Sequence, residues 1–153
     1  MAAFRKAGCF IGICMVVIIP FSSGVADEKG TAGLSAIEEL NGAAALASCL
    51  NNGRPTLAYF YYSVACSCTA VQCSLALVAI ADAPELQAEN EDFNFVCVDA
   101  FYHEEVDSQY NLFFIPAMIA YGEDGRELYR VEWDIDKKSV RKLVNLIKAN
   151  DGH

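Results

Sequence analysis

Positive charge is scarce in this chain of 153 residues: 11 Lys and Arg stand against 20 Asp and Glu, a net charge of −9. Nucleic-acid binding and adsorption to anionic membranes both need clustered cations, so neither partner is expected. Histidine is also scarce, with two residues, and there is no repeated Cys-x-x-Cys knuckle. A closed four-thiolate zinc site is therefore not indicated, and no metal is expected. Motifs for nucleotide, flavin or haem are missing, so no cofactor is expected. No apolar run reaches the roughly 20 residues that cross a membrane comfortably. Internal repeats and low-complexity stretches are missing too. What is present is 54% hydrophobic residues and 20% charged ones, enough for one folded domain with a real core. Seven cysteines are the first chemical clue.

The N-terminus has the pattern of an export signal. Arg5 and Lys6 precede an almost wholly apolar run over residues 9–21, and Gly24-Val25-Ala26 offers a small-x-small cleavage site. The alternative is an uncleaved anchor over residues 9–23. Cleavage after residue 26 removes two cations and no acid, so the mature chain is more acidic still. It also removes Cys9 and Cys14, leaving Cys49, Cys66, Cys68, Cys73 and Cys97. A periplasmic or secreted setting permits disulfides, and an odd number of thiols leaves at least one outside them.

Residues 27–33 read as a loose leader and residues 34–150 as the domain. Residues 34–50 have Leu34, Ile37, Leu40 and Ala44 at helical spacing, and Asn51-Asn52-Gly53 stops the helix. Residues 55–62 are apolar enough for a strand buried on both faces. The cysteine-rich stretch from Ser63 to Cys73 then opens a helix with Val71, Leu75 and Val78 on one face. Residues 82–92 are an acidic connection, 93–98 a strand, and 106–112 a short helix. Residues 116–121 and 126–133 form a hairpin around Gly122-Glu123-Asp124-Gly125. Asp136 caps a last helix over 137–150, with Val140, Leu143, Val144 and Ile147 on its apolar face. The class is α/β: early alternation argues for parallel strands, and the hairpin adds an antiparallel pair.

At this point the chain resembles a thioredoxin-fold protein. A buried strand over residues 57–62 runs into a cysteine pair at the start of a helix. Phe95-Val96-Cys97-Val98-Asp99 resembles the family's third strand. The tract from Gln109 to Tyr121, with Ile115-Pro116 inside it, resembles the segment that carries the family's cis-proline. The resemblance spans roughly residues 34–150. It implies a mixed central sheet with helices on both faces, and a substrate chain bound near Ile115 and Pro116. Three departures stand out. The pair is Ala65-Cys66-Ser67-Cys68, one residue tighter than Trp-Cys-x-x-Cys. The preceding strand has Tyr59 and Phe60 where many members carry a buried acid. The helix face of Val71, Leu75 and Val78 fits best with Cys68 at the family's second cysteine position and Cys66 inside the usual spacer. Cys73 then falls near a position often held by a helix-kinking proline.

A thiolate at a helix N-terminus is stabilised by unpaired N–H groups and by the positive end of the helix dipole, which makes it the attacking sulfur. A neighbouring thiol resolves the mixed disulfide. Two residues span at most about 7 Å, within reach of a disulfide, and so small a ring should be strained and relatively oxidising. Cys66 is thus taken as nucleophile and Cys68 as resolving thiol, with their order open. On a regular helix Cys73 lies about 8–9 Å from Cys68 and on another face, which leaves it as a third thiol. The expected function is thiol–disulfide exchange on protein substrates, with a separate redox partner and a monomeric protein. Two alternatives belong to other classes. One is a carrier of a thiophilic metal such as copper on Cys66, Cys68 and Cys73, with His103 as a possible nitrogen ligand. The other is a non-catalytic module with structural cysteines. Cys97 alternates with Phe93 and Phe95 and reads as a buried small hydrophobe. Cys49 reads either as buried or as a second reactive thiol. Tyr59 to Tyr62 read as core, Trp133 as packed under the last helix, and the acids at 85–92 and 104–107 as solvated faces.

Overall fold

The computed structural model of the protein describes residues 42–86 and 92–150. The expected signal, the leader and the first part of the first expected helix lie outside these residues. The elements run α1 (Ala43–Leu50), β1 (Thr56–Tyr61), α2 (Ser67–Ala81), a 3-10 turn (Pro84–Leu86), β2 (Asn94–Asp99), α3 (Glu104–Gln109), β3 (Ala117–Tyr121), β4 (Glu127–Glu132) and α4 (Lys137–Asn150). This is the expected order, with the 3-10 turn as the only element inside the acidic connection that is described.

The strand order is β2-β1-β3-β4. β1 pairs in parallel with β2 and antiparallel with β3, and β3 pairs antiparallel with β4. Central β1 is buried from Thr56 to Phe60, as its continuous apolar run requires. Alternation along the strands divides the core between the two faces of the sheet. On one face Leu57, Tyr59, Cys97 and Met118 pack with Ala76, Ala79 and Ile80 of α2 and with Val140, Leu143, Val144 and Ile147 of α4. On the other, Phe60, Val96, Val98 and Ile119 pack with Leu46 and Cys49 of α1 and Val106 of α3. Helices therefore cover both faces of a mixed sheet. Cys97 and Cys49 are both core residues, which settles the two readings of Cys49 in favour of burial.

The β3–β4 turn has a specific backbone demand. Gly125 sits at φ +72°, and a Cβ there would meet the Leu50 carbonyl oxygen at 2.9 Å. The hairpin is thereby pressed against the end of α1.

Three expectations are corrected. Val71, Leu75 and Val78 do share a face of α2, but that face is turned to solvent, at 56%, 56% and 58% exposure. The inner face is built from Cys73, Ala76, Ala79 and Ile80. Small residues on that side let the helix approach the sheet closely, so the larger ones are left outside. Trp133 does not pack under α4: it adopts φ +68° just after β4, remains 36% exposed, and sets its ring edge-on to Phe114 with centroids 6.5 Å apart. Asp107 is not a fully solvated acid, because its Oδ1 atom is buried without a hydrogen-bond partner.

Candidate active site

The strand registers bring the singled-out residues to one end of the sheet. β1 and β2 both finish there, with Tyr61 opposite Asp99. β3 runs the other way and begins there, with Ala117 opposite Phe60, so Pro116 stands at the same edge as the cysteine loop. The Ile115–Pro116 peptide bond is cis.

Asp99 fastens the loops at this edge. Its Oδ1 atom accepts the backbone N–H groups of Ser63 and Phe101, each at 3.1 Å. One carboxylate thus ties the segment after β1 to the segment after β2. Arg130 of β4 anchors the tract that leads to Pro116. It donates to the carbonyls of Asn111 (2.8 Å) and Tyr110 (3.1 Å), and it is ion-paired with Glu127 and Glu132. Those acids hold its guanidinium charged, well above its ordinary range. The Trp133 N–H donates to the Pro116 carbonyl at 2.7 Å and fixes the start of β3 to the end of β4.

Cys66 is the N-cap of α2, with extended backbone (φ −62°, ψ 159°). Its carbonyl accepts the Ala70 N–H at 2.9 Å, which starts the helix. Its Sγ atom lies 2.8 Å from Cys68 Sγ and 3.3 Å from Thr69 Oγ1. With Cys66 ionised, the Cys68 thiol and the Thr69 hydroxyl are the available donors. Those contacts bring the Cys66 thiol from its ordinary 9.0 down to about 7, the Cys68 contact first and the Thr69 hydroxyl second. The backbone N–H groups of Thr69 and Cys68 add to the effect, although no full side-chain cap bond is closed. Near neutral pH a large fraction of Cys66 is therefore thiolate, and both sulfurs are on exposed residues.

Cys66 is the residue that caps the helix, and Cys68 stands in its first turn. The apolar face used to set Cys68 at the family's second cysteine position points to solvent.

Cys73 lies apart from the pair. It is buried, and burial pushes its thiol above the ordinary range. Its carbonyl accepts the Tyr59 hydroxyl at 3.2 Å. Among the described residues no group of three His, Cys, Asp or Glu is placed to hold a metal ion, so the three-cysteine carrier site is not assembled. His103 caps α3, with Nδ1 3.8 Å from the Glu105 carboxylate.

Beside Cys66 an open groove is lined by Ala65, Thr69, Phe101, Tyr62 and Asp107, among others. The Tyr62 hydroxyl donates to Asp107 Oδ2 at 2.5 Å. Burial, and then this carboxylate, push the phenol up to about 12. Phe113, Phe114 and Trp133 add an exposed aromatic rim on the Pro116 side. A second open hollow, along Lys137, Lys138, Arg141 and Lys142 of α4, is lined by no cysteine.

The roles of Thr69, Asp99 and the Tyr62–Asp107 pair were missed at the level of sequence. Thr69 had a signal, since it stands three residues after the cap, where a side chain can reach back. Asp107 had none, because its partner is 45 positions away.

No family model and no curated protein sequence matches the chain. Solved structures match its fold. Thioredoxin from Malassezia sympodialis superposes with a TM-score of 0.54 at 12% identity, over 73% of this chain and 88% of that one. A mutant thioredoxin from Halobacterium salinarum gives 0.52 at 18% identity, over 74% and 88%. The DsbH oxidoreductase gives 0.50 at 18% identity, over 67% and 81%. The fold is thioredoxin-like, with a Cys-x-Cys pair at the head of the helix that follows the central strand.

Proposed function

We propose that the protein is an exported thiol–disulfide oxidoreductase acting on protein thiols and disulfides through Cys66 and Cys68. The observation that carries this reading is the 2.8 Å contact between the two sulfurs at the N-terminus of α2, with Cys66 lowered to about 7.

In the reducing direction the Cys66 thiolate attacks one sulfur of a substrate disulfide. A Cys66–substrate bond forms, the substrate S–S bond breaks, and the released thiolate takes a proton. Cys68 gives its thiol proton to the released substrate thiolate and attacks Cys66 Sγ. The mixed disulfide breaks, the second substrate thiolate leaves, and a Cys66–Cys68 disulfide remains. Two electrons pass from protein to substrate, and a separate thiol partner returns the protein to the dithiol. The oxidising direction is the same sequence reversed. Tyr62, Phe101 and Asp107 flank Cys66 and contact the chain around the attacked sulfur. Export accords with the pattern of residues 1–26, with the periplasm or the exterior as compartment.

The test is reduction of a disulfide-bridged peptide, with dithiothreitol as the electron source. Cys66→Ser abolishes the accelerated rate. Pre-reduced Cys68→Ser, freed of dithiothreitol before the peptide is added, stops after one event and accumulates the mixed disulfide. Cys49→Ser retains turnover. Equal rates in the protein and its Cys66→Ser variant contradict the reading.

A further inference from the structure

We infer that Phe114 and Trp133 form an aromatic subsite that selects protein substrates with a large apolar residue about three positions from the attacked cysteine, a spacing set by the strand geometry below. The inference rests on the redox reading and deepens it, by naming the sequence around the substrate sulfur.

Trp133 is held against its local preference. It stands at φ +68°, in the left-handed region where glycine is the default and a bulky side chain is an outlier. Its N–H is bonded to the Pro116 carbonyl at 2.7 Å, which ties it to the residue beside the cysteine loop. The core does not need its ring, because Ile135, two residues on, fills that space with Val140 and Leu143. The ring stands edge-on to Phe114 instead, with centroids 6.5 Å apart. Phe114 is 60% exposed and Phe113 before it 79%. The tract that carries them is anchored, since Arg130 holds the carbonyls of Tyr110 and Asn111. Backbone strain that keeps an aromatic pair preformed and open to solvent beside a reactive thiol points to binding.

The chemistry at this edge fixes the occupant. A mixed disulfide bonds the substrate cysteine to Cys66, so the residues next to that cysteine lie across the same edge of the sheet. β3 begins there and β4 ends there, with Ala117 opposite both Phe60 and Glu132. In the order β2-β1-β3-β4, the end of β4 is two strands from the end of β1. Two strand spacings are about 10 Å, and an extended chain covers that distance in about three residues. A substrate chain leaving Cys66 toward Pro116 therefore brings its third residue to Phe114 and Trp133. A large apolar side chain there displaces water from both rings, and a small polar one gains nothing. A small-molecule disulfide ends before it reaches them.

The test uses symmetric disulfides of a short Ser-rich peptide with one central cysteine. Phe stands at the third residue on its N-terminal side, on its C-terminal side, or at neither. Phe on one of the two sides should raise kcat/KM about tenfold over Ser, the scale of one aromatic contact with its buried area. Trp133→Gly, a substitution the backbone favours, and Phe114→Ala should each bring that ratio close to one, chiefly by raising KM for the Phe peptide. A second readout needs no redox step. Trp133 is the chain's only tryptophan. In the Cys66→Ser/Cys68→Ser variant, the Phe peptide with its cysteine replaced by serine should shift the emission to shorter wavelength and saturate, at a lower concentration than its Ser counterpart. Turnover that is indifferent to Phe on both sides overturns the inference and leaves the redox reading intact. So does a Phe preference that survives both substitutions, because the subsite then lies elsewhere. Turnover of no peptide is a failure of the redox reading itself, and the emission then decides the subsite: a saturating shift supports it, and an unmoved spectrum overturns it.

Discussion

Cys66 Sγ lies 2.8 Å from Cys68 Sγ, and that contact is the largest single cause of the lowered Cys66 thiol. A spacing of two residues brings the second sulfur onto the first because Cys66 is extended at the cap while Cys68 is already in the first turn. The resolving group is thus also the group that activates the nucleophile.

Removing that contact should raise the Cys66 thiol more than any other single change. Rates of Cys66 alkylation by iodoacetamide, followed by peptide mass against pH, should show a midpoint at about 7 in the unaltered protein. Below that pH the thiol is protonated and slow; above it the thiolate reacts. Cys68→Ala should move the midpoint up most, and Thr69→Ala up by less. Both variants should remain below the ordinary 9.0, because the backbone N–H groups of the first turn are retained. An unmoved midpoint in Cys68→Ala would contradict this assignment.

The Tyr62–Asp107 pair makes a second prediction. Tyr62 is raised to about 12 by burial first and by Asp107 second. Asp107→Asn removes the negative charge that opposes the phenolate, so the Tyr62 value should fall but remain above 10.0. Titration followed by NMR of labelled tyrosine rings measures it. No change on substitution would mean that the carboxylate does not govern the phenol.

The orientation of α2 is testable by stability. Val71→Ala and Val78→Ala should each change unfolding free energy by less than about 0.5 kcal/mol in the monomer, as surface positions do. Ile80→Ala and Leu143→Ala should each cost about 2–5 kcal/mol, because both side chains fill the core between α2, α4 and the sheet. Urea unfolding at low protein concentration gives the comparison. A large cost at Val78 with none at Ile80 would reverse the assigned faces.

Much of the architecture is legible in the sequence. The apolar, β-prone run at 57–62 reads as a central strand, and the Gly122–Gly125 turn and the Asp136 cap have local chemistry that names them. Asp136 accepts the Ser139 N–H at 2.7 Å, as a cap should. The Cys66–Cys68 pair and the Ile115–Pro116 bond are legible as well, the second through resemblance. The misreadings share a cause. Periodicity shows that Val71, Leu75 and Val78 lie on one side of a helix but not what covers that side. Here the inner face is taken by Cys73, Ala76, Ala79 and Ile80. Trp133 turns outward because its backbone enters the left-handed region, and Asp107 is drawn in by a tyrosine 45 residues away. Neither leaves a trace in local spacing.

The central claim is that Cys66 and Cys68 form a reversible redox pair. The most direct measurement equilibrates the protein in graded mixtures of reduced and oxidised glutathione, quenches with acid, and maps disulfides by peptide mass. The account predicts a single two-electron transition confined to the peptide that carries Cys66 and Cys68, with Cys49, Cys73 and Cys97 recovered as thiols throughout. A Cys66–Cys68 bond that forms at no ratio, or a fixed bond from either cysteine to Cys73, would contradict it.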